Sequence, residues 1–294
     1  MNEKIVKLPL FENLLNLAVL ALLALLCAFP IVHTLALSFS SATAAGSGRV
    51  TIWPVEFTTQ SYKFVLANPA FLRSFGVSLL RVLVGTPINM LLTILVAYPL
   101  SRSNSEFRAR NFFAWFFLIT VLFSGGLIPW YMVIRQTGLI DSFWALIIPG
   151  ALPVLNVILL ANSFRSIPKE LEEAAAMDGA GHWTILFRVL LPLSLPILAT
   201  LTLFVAVGHW NAWFDGLILM NSPDKYPLQS YLQTVVVNPD PRMLTERDLA
   251  LLQVISNRTT RAAQIFIAMI PILVIYPLLQ RYFITGIKLG SVKG

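Results

Sequence analysis

The residues from Glu170 to Pro192 combine charge, very small side chains and helix stops in a way that suits docking rather than catalysis. Glu170, Glu172 and Glu173 follow Ser166-Ile167-Pro168. Proline fits the first helical turn, where its missing N–H would be unpaired anyway, and carboxylates are favoured near a helix N-terminus. Ala174, Ala175 and Ala176 favour helix and have almost no side chain, so another protein could approach the backbone closely. Asp178 precedes Gly179, and Gly179 and Gly181 stop the helix. A second short apolar helix is predicted from Trp183 to Leu191, running into Pro192. The spacing predicts a helix–turn–helix over 166–192 with an alanine face turned to a partner.

Covalent chemistry has no comparable support. The chain has no G-x-x-x-x-G-K-[ST] run to cradle phosphates, so any ATP hydrolysis has to come from another subunit. His33, His182 and His209 lie far apart and lack metal-ligand spacing. Ser124-Gly125-Gly126 has no accompanying His/Asp set that would make it a nucleophile elbow. The chain is therefore expected not to be an enzyme and to carry no cofactor of its own.

The elements that position the docking stretch are membrane spans. Of 294 residues, 57% are hydrophobic and only 12% charged, with a mean hydropathy of +0.76; soluble domains carry about 25% charged residues. The net charge of +7 fits anionic lipid headgroups rather than nucleic acid. The single cysteine, Cys27, sits in an apolar run and has no intrachain partner.

Six spans are predicted: about Leu14–Leu37, Phe75–Leu100, Asn111–Ile134, Phe143–Phe164, Ser194–Phe214 and Gln264–Phe283. The first exceeds the ~7–15 apolar residues of a signal peptide and is read as retained. Long polar loops are expected at 38–72 and 215–261, the second with helices over Tyr226–Val236 and Leu244–Ile255. Everything forms one transmembrane domain over 1–294. Arg102, Arg108 and Arg110 in one short loop face Arg135 alone in the next, and Lys4, Lys7, Arg165, Lys169, Arg188, Arg281, Lys288 and Lys293 join the first group. The positive-inside bias then puts both termini and the 166–192 segment in the cytoplasm.

Inside the spans, Thr86-Pro87, Gly125-Gly126, Pro129, Pro149-Gly150 and Pro153 interrupt helices, with Asn89 and Asn156 at similar depths. Freed backbone groups must be satisfied by neighbours or by water in a cavity, so a translocation path and simple packing kinks are both open readings. Arg81 either faces the bundle interior or snorkels outward. His209-Trp210-Asn211-Ala212-Trp213-Phe214-Asp215 offers aromatic faces, an amide and a carboxylate, a set suited to sugar rings and also to an aromatic belt at the membrane interface.

The order Glu173-Ala174-Ala175, Gly179, Val189, Leu191-Pro192 resembles the "EAA" motif of ABC importer permeases, with Val189 where isoleucine is commoner. The run Ile167 to Ala180 is similar to the carbohydrate-type permeases, and the resemblance extends over almost the whole chain. It implies an all-α polytopic bundle of the type I ABC importer permease fold. Glu173, Ala174, Ala175, Asp178, Gly179, Leu191 and Pro192 then belong to a cytoplasmic coupling helix seated on an ATPase. It further implies a bacterial cytoplasmic (inner) membrane location, a second homologous permease subunit, two ATP-binding cassette subunits holding ATP and Mg, and an extracytoplasmic solute-binding protein. An oligosaccharide substrate would pass Asn89, Asn156, Trp210, Asn211, Trp213 and Asp215, although in the related maltose system the partner permease supplies most substrate contacts. Gly125-Gly-Leu-Ile-Pro129 and Trp144 to Leu152 look most like the branch for complex oligosaccharides such as alginate. The competing readings are an ABC permease for amino acids or another polar solute, an ATP-independent secondary transporter, and a scaffold without solute flux.

Overall fold

A computed structural model describes residues 10–237 and 257–290, and the side chains within 11–236 and 258–277. The helix expected over Leu244–Ile255 lies outside the described residues. Among those residues every regular element is helical, and the chain divides into two compact units.

The first unit comprises Met1–Pro69 and Pro239–Met269. It contains α1 (Leu10–Ser38), α2 (Ala42–Gly46), α3 (Gln60–Ala67) and the start of a long last helix running Asn257–Gly290. α1 is apolar all round, and Leu14, Leu17, Leu20, Leu22, Leu25 and Leu26 are all exposed, as a helix solvated by lipid requires. Thr34 Oγ1 donates to Pro30 O at 2.8 Å, beside the internal proline. The loop expected at 38–72 is more structured than its polarity suggests. Ser41 Oγ caps α2 by accepting from Ala44 N, and Ser40 Oγ donates to Ala36 O and accepts from Val55 N. A small apolar centre of Ala36, Ala44 and Val50 closes the unit.

The second unit comprises Ala70–Asn238 and Ile270–Gly294, and α4 (Pro69–Ser101) organises it. Phe71, Ser74, Ser78, Arg81, Gly85, Asn89, Thr93, Ala97 and Leu100 are buried. They recur every three or four residues, which places them on one helical face. Leu72, Leu79, Leu80, Leu83 and Leu91 are exposed. The helix thus has its small and polar groups inward and its leucines outward, because lipid is as apolar as leucine while buried polar groups need partners.

The predicted third span is not one helix. It consists of α5 (Arg110–Leu122) and α6 (Leu127–Gln136), which change direction by 117°. Thirteen residues rise only about 20 Å, less than the ~30 Å of a hydrocarbon core. Gly126, at φ +87°, takes a conformation that side chains with a Cβ rarely adopt. Two 3₁₀ turns, Phe143–Leu146 and Ile148–Gly150, lead into α7 (Val154–Ser166), the pair bending by 47°. The carbonyl freed at this break, Gly150 O, accepts from Asn89 Nδ2 at 3.2 Å.

The 166–192 stretch is α8 (Lys169–Met177) followed by α9 (His182–Leu193), whose middle, Ile185–Leu190, widens into a π-helix, a rare form that recurs at functional sites. α9 meets α10 (Leu195–Asn211) at 83°. Then follow α11 (Phe214–Leu219) and α12 (Leu228–Leu232), the latter extended by a π turn to Val237 where a helix over Tyr226–Val236 was expected. The last helix, α13 (Asn257–Gly290), begins earlier than the predicted sixth span. α1, α4 and α13 are each long and apolar enough to cross a membrane, and the three bent pairs bring the total to as many as six.

Candidate functional site

The docking segment is built as its residue types require. Gly179 N donates to Ala176 O and Ala180 N to Ala175 O, the paired bonds of a Schellman helix end, with Gly179 at φ +78°. Ala175 and Ala180 pack against a buried cluster that joins Ile185, Leu186 and Leu190 of α9 with Ala97 and Leu100 of α4, Leu160 and Phe164 of α7 and Leu201 of α10. A displacement of α8 is therefore carried by close-packed side chains into three other helices. Leu191 is half-buried against this cluster, and Pro192 is exposed.

The adjacent glutamates do different things. Glu172 forms an ion pair with Arg102, both side chains being 15% exposed, and the Arg102 guanidinium lies 4.4 Å over the Tyr98 ring. Tyr98 OH hydrogen-bonds His182 Nδ1 at 3.1 Å, so α8 and α9 are both tied to the end of α4. Glu173, one residue on, is exposed, and so are Ala174, Asp178 and Gly179. Met177, 89% exposed, sits one turn beyond Glu173, and the exposed Trp183 stacks on Phe187. The sequence placed Trp183 and Phe187 in a short apolar helix without showing that they are exposed, and it did not single out Met177; exposed apolar side chains beside an alanine face mark a contact surface.

At the opposite end of α10 a cavity of about 1070 Å³ opens between α5, α6, the 3₁₀ turn at Pro149 and the Asn211–Asp215 run. Phe123, Trp130, Trp213 and Phe214 form its aromatic wall, with Thr120, Ser124 and Asn211 as polar groups. The interruptions at Gly125-Gly126, Pro129 and Pro149 all line it. Of the path residues named from the sequence, Asn211, Trp213 and Asp215 border this space. Asn89, Asn156 and Trp210 are buried elsewhere, Trp210 edge-on to Phe75.

Behind the wall stands a charged cluster. Arg81 is 4% exposed and does not snorkel. Its Nη2 pairs with Asp215 Oδ2 and its Nη1 donates to Oδ1 at 3.2 Å. Its Nε donates to His209 Nδ1 at 3.4 Å. Asp215 Oδ1 also accepts from Gly216 N at 2.9 Å. A bidentate fork of this kind fixes orientation as well as charge, so α4 sets where the turn carrying Trp213 and Phe214 emerges. The His209 ring lies against Gly85, where an added Cβ would fall 2.6 Å from Nε2. Gly85→Ala is expected to cost about 1–3 kcal/mol as overpacking, read as a lower unfolding midpoint of the purified protein. His209→Ala in the same background should recover part of the loss.

Two residues after Leu139 of the lining, Asp141, itself at φ 62°, clasps the segment that follows α11. Asp141 N donates to Leu219 O at 2.8 Å, and Lys225 Nζ donates to Asp141 Oδ2 and to Asp141 O. Asn221 N donates to Asp141 Oδ1 at 3.0 Å. The Lys225 bond first, and then the Asn221 amide, hold the Asp141 carboxyl below its ordinary range. A depressed folded value stabilises above the unfolded pKa, about 3.9, and that stability is lost as pH falls through the folded value. Amide exchange at Met220 and Asn221 should thus stay protected from pH 8 to 5 and open only in stronger acid. Asp141→Asn should abolish that acid step.

Residues 64–289 match the family of binding-protein-dependent transport system inner membrane components, and the chain belongs to that family: it is a transport permease of the ABC importer class with the type I fold. Protein LplC of Bacillus subtilis is 40% identical over 265 residues, covering 90% of this chain and 89% of the relative. The polygalacturonan/rhamnogalacturonan transport system permease protein YtcP of the same organism is 36% identical over 275 residues, covering 94% and 96%. A crystal structure of a bacterial ABC transporter involved in the import of the acidic polysaccharide alginate contains a chain that superposes with a TM-score of 0.87 at 33% identity, covering 93% of this chain and 96% of that one.

Proposed function

We propose that this chain is one of two membrane subunits of an ATP-driven bacterial importer for oligosaccharides, including acidic or complex ones of the alginate and polygalacturonan type. The observation that carries the reading is the 1070 Å³ cavity with its wall of Phe123, Trp130, Trp213 and Phe214. Aromatic faces accept the apolar faces of sugar rings, and Asn211 and Ser124 suit hydroxyls. Its size exceeds what a monosaccharide needs. The lining contains no Lys, Arg or His, so this wall meets rings rather than carboxylates, and uronate charges are answered by the second permease subunit facing it. The polygalacturonan/rhamnogalacturonan permease and the alginate importer among the similar proteins support the same substrate class.

On this reading the exposed face of α8 and α9 seats on one of two ATP-hydrolysing subunits, which hold ATP and Mg. The termini and coupling segment are cytoplasmic, the Trp213 wall is turned outward, and an extracytoplasmic solute-binding protein delivers the substrate. The test is uptake and ATP hydrolysis in proteoliposomes by the complex that co-purifies with this chain, with binding protein and a panel of neutral and uronate oligosaccharides. Uptake that requires ATP and is stimulated by one of these sugars is expected. Flux with no ATPase subunit present, or stimulation by amino acids alone, would overturn it.

A further inference from the structure

A second pocket, of about 360 Å³, lies where α4 and α7 end beside α8. Four cations line it, Arg102, Arg110, Arg165 and Lys169, against three carboxylates, Glu106, Glu172 and Glu173. Two of the carboxylates are committed. Glu172 is paired with Arg102, and Glu106 accepts from Ser103 N and Ser103 Oγ. Arg110 and Arg165 are differently placed: Arg110 Nε and Arg165 Nη2 both donate to one carbonyl, Leu100 O, at 3.2 and 2.5 Å. Among the described residues neither has a carboxylate within ion-pair distance. Capping the end of α4 explains one N–H of each guanidinium, and each has five. Their other described bonds go to Asn111 and Asn162, and Arg102 Nε and Nη2 are buried without a partner.

Two guanidiniums that share one neutral acceptor at the end of a membrane span, with further N–H groups to donate, suit an anion with several acceptor oxygens. We propose that this pocket binds a phosphate group, with Arg110 and Arg165 as its principal ligands and Lys169 at its rim. Guanidinium pairs match the several acceptor oxygens of phosphate, and the end of a span is the depth at which lipid phosphodiesters lie. Because the same wall carries Glu172 and Glu173, an occupied pocket would steady α8.

The experiment compares the intact co-purified complex in nanodiscs of phosphatidylglycerol and of a phosphate-free glycolipid, diglucosyl diacylglycerol, and in the latter with inorganic phosphate added. A lipid ligand predicts an unfolding midpoint at least about 2 °C higher in phosphatidylglycerol, with most of the gain lost in Arg110→Gln/Arg165→Gln. A free phosphate ligand predicts the same gain from inorganic phosphate in the phosphate-free glycolipid and the same loss in the double variant. If that variant fails to fold, Lys169→Gln, which removes no described hydrogen bond, should show a reduced gain. Arg108→Gln removes an exposed charge of the same loop outside the pocket and should keep the gain. No gain from either source, or an equal loss in Arg108→Gln, would overturn the site.

Discussion

Arg81→Ala leaves the Asp215 carboxylate facing a protein interior without its counter-charge, and the loss expected is about 3 kcal/mol. Removing one member of a buried pair typically costs about 3–5 kcal/mol; the Asp215 side chain is 22% exposed, which puts the case at the lower end. Asp215→Ala should cost at least as much, since the stranded group is then a guanidinium only 5% exposed. The double change Arg81→Met/Asp215→Leu should be far milder than either single one, because apolar replacement of both partners removes the desolvation penalty along with the attraction. Thermal unfolding of the purified complex gives the three values. If the loss in the double variant equals the sum of the two single losses, the pair is not coupled. The transport result separates stability from positioning: the double variant should insert and remain folded yet transport poorly, because the turn bearing Trp213 and Phe214 has lost the fork that aims it.

The second large effect is at the coupling end. Glu173→Lys should abolish sugar-stimulated ATP hydrolysis and uptake while leaving the unfolding midpoint near that of the parent protein, since Glu173 is exposed. Glu172→Ala should do the reverse in kind. It strands Arg102, whose side chain is 15% exposed, and a lost charge-assisted hydrogen bond of this type costs about 1.5–3 kcal/mol. Gly179→Val combines the two, because a β-branched residue at φ +78° strains the helix end by about 1–2 kcal/mol and frays the segment. Shifting a two-state transporter from 1:99 to 99:1 takes about 5.5 kcal/mol of differential interaction, which only a well-seated helix can transmit. Normal coupling in Glu173→Lys and Gly179→Val would remove α8 from the coupling role.

The helix end at Gly179 was legible because everything that makes it lies within a few residues: an alanine run, a glycine able to take positive φ, and the amides of Gly179 and Ala180. The interruption at Gly125-Gly126 was legible too, as a kink. That it turns the chain by 117° and opens a cavity was not, because a glycine permits a direction without choosing one. Arg81 was visible as a costly charge in an apolar run, with interior and surface placements both open. Its partner lies 134 residues away, beyond any periodicity argument. The inward stripe of α4 was available in the recurrence of Ser74, Ser78, Arg81, Gly85, Asn89 and Thr93 at helical spacing, which the leucines between them obscured.

By itself the sequence determined the membrane class, the all-α architecture and the helix–turn–helix that ends in Pro192. Solvent preference follows from composition, and helix starts and stops follow from neighbouring residues. Tertiary structure alone decided which of two consecutive glutamates is an internal anchor and which faces outward, since one helical step rotates a side chain by about 100°. It also decided that Arg81 and Asp215 share the burial of their charges, and that four separated segments enclose one aromatic-walled cavity. Those outcomes depend on which helical faces meet, and that is settled by packing all the faces at once.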